Sequence, residues 1–352
     1  MKKYNFIVTK PAGMTLIELL VVISILGLLT VIVIPALSGN RENNANRNAA
    51  QQVSGLISQS RNDAISAGRW AGFTVLENEN GLNGLDIARC RVPPPYRGDL
   101  DASTLTFTQN PFGNRNITGP IAGLLSLTPD NIGNVNSPNR AGVQVDDFIS
   151  FNGEPLRYRI VPFHSNSSPP YISQPSSSQL GFRIAPVGSP LTTPWPPAGV
   201  PMAFSIERQP RVVGSTIALS TESSIDMRWS GYGGLGSYTE FWGGTTGTVP
   251  PQVSVLFDDR GTLRELIVDG ERRMVDGAVF FLIGRVDRRG QSDTTFNSAD
   301  DTTGANWQYP TSYWVVIDPV SGQTRIAECV PGASTLEASQ QYAREGLISQ
   351  GL

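Results

Sequence analysis

One carboxylate stands where carboxylates are costly. Glu18 opens an apolar run that continues to Leu37, in which only Ser24 and Thr30 carry other polar side chains. A charge at the centre of a bilayer costs about 2.5–3.5 kcal/mol, less near the end of a span, so it is usually matched by a partner. Just before it lies Gly13-Met14-Thr15-Leu16-Ile17, behind a leader containing Lys2, Lys3 and Lys10. Other residues able to do chemistry are few. The single histidine, His164, sits in a Pro/Ser-rich loop and has no companions for a triad or a metal site. Cys90 and Cys329 lack metal-ligand spacing. Gly231-Tyr232-Gly233-Gly234-Leu235-Gly236 spells a dinucleotide fingerprint, but the aromatic and polar stretch after it is no amphipathic helix. It reads as a flexible loop. Asp287, Asp293, Asn297, Asp300 and Asp301 crowd one late loop, where oxygen ligands could hold calcium. No Asp-x-Asp-x-Asp-Gly pattern is present, and a solvated acidic loop is the competing reading. No nucleophile–base pair stands out, so the chain is not expected to be an enzyme, and no other cofactor is implied.

The apolar run is too long for an ordinary secretory signal, and its small junction residue precedes the run instead of following it. A plain membrane anchor would have no need of Glu18. The order of basic leader, Gly13, short polar step, Glu18 and apolar helix resembles the type IV pilin and type II secretion pseudopilin family. The resemblance implies cleavage after Gly13 on the cytoplasmic side by a prepilin peptidase, which also methylates the new amino group of Met14. It implies that Glu18 meets the Met14 ammonium of a neighbouring subunit during fibre assembly, each buried charge offsetting the other. Gly27 and Pro35 fall where the family helix tends to soften or kink. Family members usually begin the mature chain with Phe, and Met14 is an apolar replacement. Some related pseudopilins bind calcium, which is the reason for noting Asp287, Asp293, Asp300 and Asp301.

These residues need a helix to carry them. At about 1.5 Å per residue, residues 14–38 match the hydrocarbon thickness of a bilayer. The helical pattern then resumes: Ala45, Ala49, Val53, Leu56, Ile57, Ser60 and Ala64 form a narrow apolar stripe among Asn, Gln, Arg and Asp. Residues 14–69 as one helix would be on the order of 80 Å long, with Gly68 as its stop. The first half is apolar all round and the second on one side only, which fits a membrane and fibre-core segment followed by a segment packed on a sheet. The stretch from Leu56 to Arg69, running into Trp70–Val75, is similar to the end of the long helix and the first strand of H-type minor pseudopilins.

Past Trp70 the period becomes alternating. Phe73, Val75, Ile87, Leu156–Val161, Gly181–Ile184, Ala203–Ile206, Val212–Leu219, Ile225–Trp229, Val253–Phe257, Leu263–Val268, Ala278–Ile283, Trp314–Asp318 and Thr324–Cys329 read as short strands. With 36 Gly and 26 Pro the chain is rich in turns, and at 39% hydrophobic it can still build a core. The expected fold is α+β: a long N-terminal helix packed against a β-rich head over 70–352. Stretches 91–139, 165–201 and 230–251, dominated by Pro, Gly, Ser, Asn and Thr, read as strandless insertions.

Losing three leader lysines takes the formal charge from −3 to −6, so nothing favours nucleic acid. The leader lysines keep the N-terminus cytoplasmic by the positive-inside rule. The expected location is therefore the bacterial inner membrane, single-pass, with the head periplasmic and later part of a pseudopilus. In that oxidising compartment Cys90 and Cys329 either pair or remain two buried thiols. The resemblance implies a minor pseudopilin of a type II secretion pseudopilus, with the prepilin peptidase, sister subunits and an inner-membrane assembly platform as partners. The alternatives are a minor type IV pilin of a pilus or DNA-uptake filament, and a pilin-anchored, adhesin-like head binding ligand through Trp195, Trp229, Trp242 and Trp307.

Overall fold

The structure is a computed structural model. It describes residues 16–77, 85–109, 115–124, 147–161, 172–176, 179–187, 194–234, 236–242, 251–290, 304–331, 333 and 335–348, with the side chains of 29–42, 85, 172–176 and 346–348 outside the description.

Helix α1, Leu16–Ala67, is a single element of 52 residues. It stops where a left-handed residue closes its last turn. Gly68 has φ +59°, its N–H donates to Ile65 O, and the Arg69 N–H donates to Ala64 O, which together make a Schellman cap. The buried seam of α1 comprises Asn46, Ala49, Ala50, Val53, Leu56, Ile57, Ser60 and Ala64. Of the stripe read from sequence only Ala45 is merely half-buried, while Asn46 and Ala50 join it.

That seam seats on two antiparallel sheets. The first runs in the order Arg211–Val212, Leu85–Arg91, Ala71–Glu77, Val253–Phe257, Leu263–Val268, Glu271–Met274, with Ile217–Ala218 also pairing to Leu85–Arg91. The second runs Thr239–Glu240, Gly231–Gly233, Ala278–Arg285, Tyr313–Ile317, Thr324–Glu328, with Ser223–Ile225 against Ala278–Arg285. Phe73, Val255, Phe257 and Leu266 from the first sheet meet Phe281, Ile283, Val315 and Ile317 from the second around the helix seam in one core. Ala278–Arg285 is buried almost throughout because its other face is covered as well. There Phe280, Leu282, Trp314 and Cys329 pack with Trp307 and with Ala343 of α2 (Leu336–Ile348). The sequence reading did not anticipate α2.

Two corrections follow. The stretches read as strandless insertions carry strands: Leu105–Gln109, Arg115–Pro120, Ile172–Ser176 and Gln179–Pro186 belong to a third sheet, together with Phe148–Phe151, Tyr158–Val161, Pro201–Met202 and Phe204–Glu207. This sheet has its own core, centred on Phe107, Ile117, Ile149, Phe182 and Ile206, so the head has two lobes, not one. Neighbouring Pro and Gly hid strands such as Leu105–Gln109 and Phe148–Phe151, too short for alternation to dominate, whereas Leu156–Val161, Gly181–Ile184 and Ala203–Ile206 already read as strands. Second, Gly231–Gly233 is a strand paired with Ala278–Phe280, with no helix after it among the described residues up to 242, so it is neither a dinucleotide loop nor a flexible one. Ile225–Trp229 keeps only its first residue in a strand, since Ser230 N–H bonds Asp226 O and turns the chain.

Candidate functional site

Glu18 lies in the first turn of α1, exposed, where the positive end of the helix dipole favours a carboxylate. It is the only ionisable residue in Leu16–Leu28. Around it every residue is exposed, from Leu16 at 82% to Val22 at 42%. The Ser24 hydroxyl donates to Leu20 O within the helix, so that serine presents little polar demand to any surroundings. Gly13 and Met14, the expected cleavage and methylation positions, lie outside the described residues. Among the described residues no helix is long and apolar enough to cross a membrane. The described side chains of the apolar run, 16–28, extend only about 20 Å, and in sequence the run continues to Leu37. α1 passes through Gly27 and Pro35 as one element. A Cβ at Gly27 would meet nothing within 4 Å, so packing inside the protomer does not demand glycine there.

The far half of the same helix is held firmly. Asn43 Oδ1 accepts from the Tyr313 hydroxyl at 2.6 Å, Asn46 Nδ2 donates to Thr311 O at 2.9 Å, and the Ser223 hydroxyl donates to Asn46 Oδ1 at 2.7 Å. The Ser54 and Thr324 hydroxyls lie 2.8 Å apart. Asp63 pairs with Arg89 at 3.1 Å and Arg91 at 3.6 Å. Near the end of α1, Arg61 Nε donates to Gly261 O at 3.1 Å and to Ser321 O at 2.9 Å. The two carbonyls belong to two separate turns. In each, an aspartate Oδ1 collects backbone N–H groups: Asp258 from Arg260 and Thr262, Asp318 from Val320 and Ser321. Gly261 and Gly322 take φ of +79° and +64°, and a Cβ on Gly322 would fall 2.0 Å from Gly261 O. The turn residues, Asp258-Asp259-Arg260-Gly261 and Pro319–Gly322, read as turns from sequence, but nothing in the sequence says that one arginine would join them.

The remaining sequence candidates resolve as follows. Cys90 and Cys329 are free and buried in separate clusters, one with Leu256 and Ile267, the other under α2, the second of the two arrangements the sequence left open. Burial pushes both thiols up, so they are inert. The Asp287 carboxylate is committed to Arg285, at 2.9 and 2.6 Å, and hydrogen bonding to that guanidinium lowers its pKa. Asp293, Asn297, Asp300, Asp301 and His164 lie outside the described residues. Among the described residues no group of three or more His, Cys, Asp or Glu could hold a metal. Trp307 is buried, Trp229 meets it edge-on at 6.1 Å, and Trp242 packs against the main core. Trp195 stacks on Phe107 at 5.8 Å beneath the Arg115 guanidinium, so these rings are mostly packing. Sequence reasoning also missed Asp226. This fully buried carboxylate accepts from Asn306 Nδ2 at 2.9 Å and from the Gly290 and Arg228 N–H groups, and burial pushes it up to about 6.

Residues 9–34 match the family model described as the prokaryotic N-terminal methylation motif. No curated protein and no solved structure matches the chain.

Proposed function

We propose, for a chain whose N-terminal motif places it in the type IV pilin and pseudopilin superfamily, that it is a minor pseudopilin of a type II secretion pseudopilus. The motif implies processing by a prepilin peptidase, anchoring in a membrane and assembly with other pilin-type subunits. In our reading the anchor crosses the bacterial inner membrane once, with the head in the periplasm, until the subunit is drawn into the fibre by an inner-membrane platform. The observation that carries this is the division of α1: apolar and exposed on all sides over Leu16–Leu28, yet sunk into the head from Asn46 onward. Such a surface is covered either by lipid or by the same helices of neighbouring subunits. Moving from one to the other costs little dispersion energy, because lipid tails and Leu side chains are equally apolar.

Glu18 then selects the register. In the fibre its carboxylate faces the methylated Met14 amine of the next subunit, and an opposite charge within a few ångströms offsets the desolvation of both. Gly27 and Pro35 give the helix places to bend during extraction, since a helix-interior proline removes one backbone hydrogen bond. A head enlarged by a second lobe supports a sparse, minor position over the repeating body of a fibre. The similarity around Arg61, Ala64 and Ile65 supports the H-type subclass. Glu18→Ala is the test: the protein should still be cleaved after Gly13 and reach the membrane, but crosslinking into filaments and secretion should fall to background. Parental assembly by this variant would refute the pairing. Loss of surface fibres, with secretion intact, on deleting the gene would favour the pilus reading instead.

A further inference from the structure

At the seam between the two lobes lies a cleft of about 720 Å³, within the range of pockets that bury a ligand. Trp70, Val92 and Met274 supply its apolar floor, and Pro93, Pro94 and Pro95 line one wall where the chain leaves the first sheet for the second lobe. Met274 is 81% exposed, and Trp70 and Val92 continue a small apolar cluster on the outer face of the first sheet. Five arginines and two glutamates line the cleft, an excess of three positive charges. The inner part is internally matched: Arg272 reaches Glu265 at 3.3 Å and Glu207 at 3.9 Å, and Arg157 reaches Glu207 at 3.3 Å. The mouth is not. Exposed Arg69 and Arg264 make no ion pair among the described residues, while Arg208 donates to Pro94 O and has the Asp147 carboxylate acting on it.

We propose that this cleft binds a short acidic segment of another polypeptide, flanked by apolar side chains and held in an extended form. Three observations select that occupant. The unmatched cations call for carboxylates. The Trp, Met and Pro surfaces call for apolar side chains beside them. Glu271–Met274 is the last strand of its sheet, and its outer edge pairs with no strand among the described residues, so its backbone is available to an added strand. A lipid surface is a poor alternative. The cleft begins at Arg69, about 45 Å along α1 beyond residue 38, where the membrane segment ends. The inference does not rest on the secretion reading, because binding is measured on the unassembled chain.

The test is selection of a random heptapeptide library on the full-length protein in detergent micelles, followed by fluorescence anisotropy with the selected peptides. Enriched sequences should carry two or more Asp or Glu beside Leu, Phe or Trp. Affinity should fall about tenfold or more on combining Arg69→Glu with Arg264→Glu, and should weaken steeply with added salt. Arg47→Glu combined with Arg344→Glu, an equal charge change on residues outside the cleft, should leave binding unchanged. If the reversals disturb the circular dichroism spectrum, the same loss is expected from the Arg69→Gln and Arg264→Gln pair. Enrichment lacking acidic residues, or selected peptides that bind the doubly substituted protein as well as the parent, overturns the proposal.

Discussion

Arg61→Ala should separate the far end of the helix from the head. The Arg61 Nε–H is shared between Gly261 O and Ser321 O, at 3.1 and 2.9 Å, in a partly buried position. A hydrogen bond from a charged donor contributes about 1.5–3 kcal/mol net, and truncation also leaves two turn carbonyls without that donor. Because one N–H serves both acceptors, the cost is about 2 kcal/mol and not twice that. At roughly 2–4 °C per kcal/mol for a chain of a few hundred residues, the melting temperature should fall by about 4–8 °C. The assay is thermal unfolding of the full-length chain in detergent, followed by tryptophan fluorescence. Arg61→Lys keeps the charge but has no Nε–H at that point on the chain, so it should recover less than half of the loss. A melting temperature within about 1 °C of the parent for the alanine variant, or full recovery by lysine, would refute the claim that a shaped donor joins the two turns.

Two further outcomes can be checked on the same preparation. Native protein should take up no thiol-alkylating reagent, and after unfolding without reductant it should take up two equivalents, one each at Cys90 and Cys329; mass spectrometry reads both numbers. Stability should also fall as pH rises from about 4 to 6. The Asp226 carboxyl titrates near 6 when folded and near its ordinary value when unfolded, so the native state holds the extra proton within that window. The contribution is greatest below the unfolded pKa and disappears as pH passes the folded one, with an amplitude on the order of 3 kcal/mol. Asp226→Asn should flatten this slope in urea titrations run across the window; an unchanged slope assigns it elsewhere.

What could be read from the residues depended on how far each signal reaches along the chain. The helix was legible because its cues are local: an apolar run, then a stripe at three- and four-residue spacing ending at Gly68. Val253–Phe257 and Leu263–Val268 were legible to the residue because two apolar-rich stretches flank the Asp-Asp-Arg-Gly turn at 258–261. The second lobe as a unit was not: three of its strands were read, but Pro-rich stretches separate them and its core forms only when Phe107, Ile149 and Phe182 meet across 75 positions. The contacts that fix the helix to the head fail to show for the same reason: Arg61 and Ser321 lie 260 residues apart. Glu18 was the opposite case. Its cost depends on the apolar sequence around it, so its oddity was visible without any structure.

That second lobe should also be removable, which tests whether the pilin-type core stands by itself. The chain leaves the first sheet after Arg91 and returns at Arg211, and those two residues face each other as antiparallel partners, as do Cys90 and Val212. Their Cα atoms are therefore about 5 Å apart, close enough for a short hairpin turn to join the strands. No strand of the third sheet pairs with either of the others among the described residues. The specific ties across the seam centre on Arg272, which meets Glu207 at 3.9 Å and lies over the Phe148 ring at 5.2 Å, while Glu265 on its own sheet remains to pair with it. Replacing residues 93–209 by a four-residue turn should thus leave the helix seam, both remaining sheets and α2 intact. The cost falls on newly exposed Trp70 and Val92 and on the lost contacts of Arg272 to Glu207 and Phe148. The shortened protein should stay folded by circular dichroism, be cleaved after Gly13 and enter filaments, while losing any peptide bound at the cleft. Aggregation of the shortened chain, with the parent soluble under the same conditions, would show that the two cores fold as one unit.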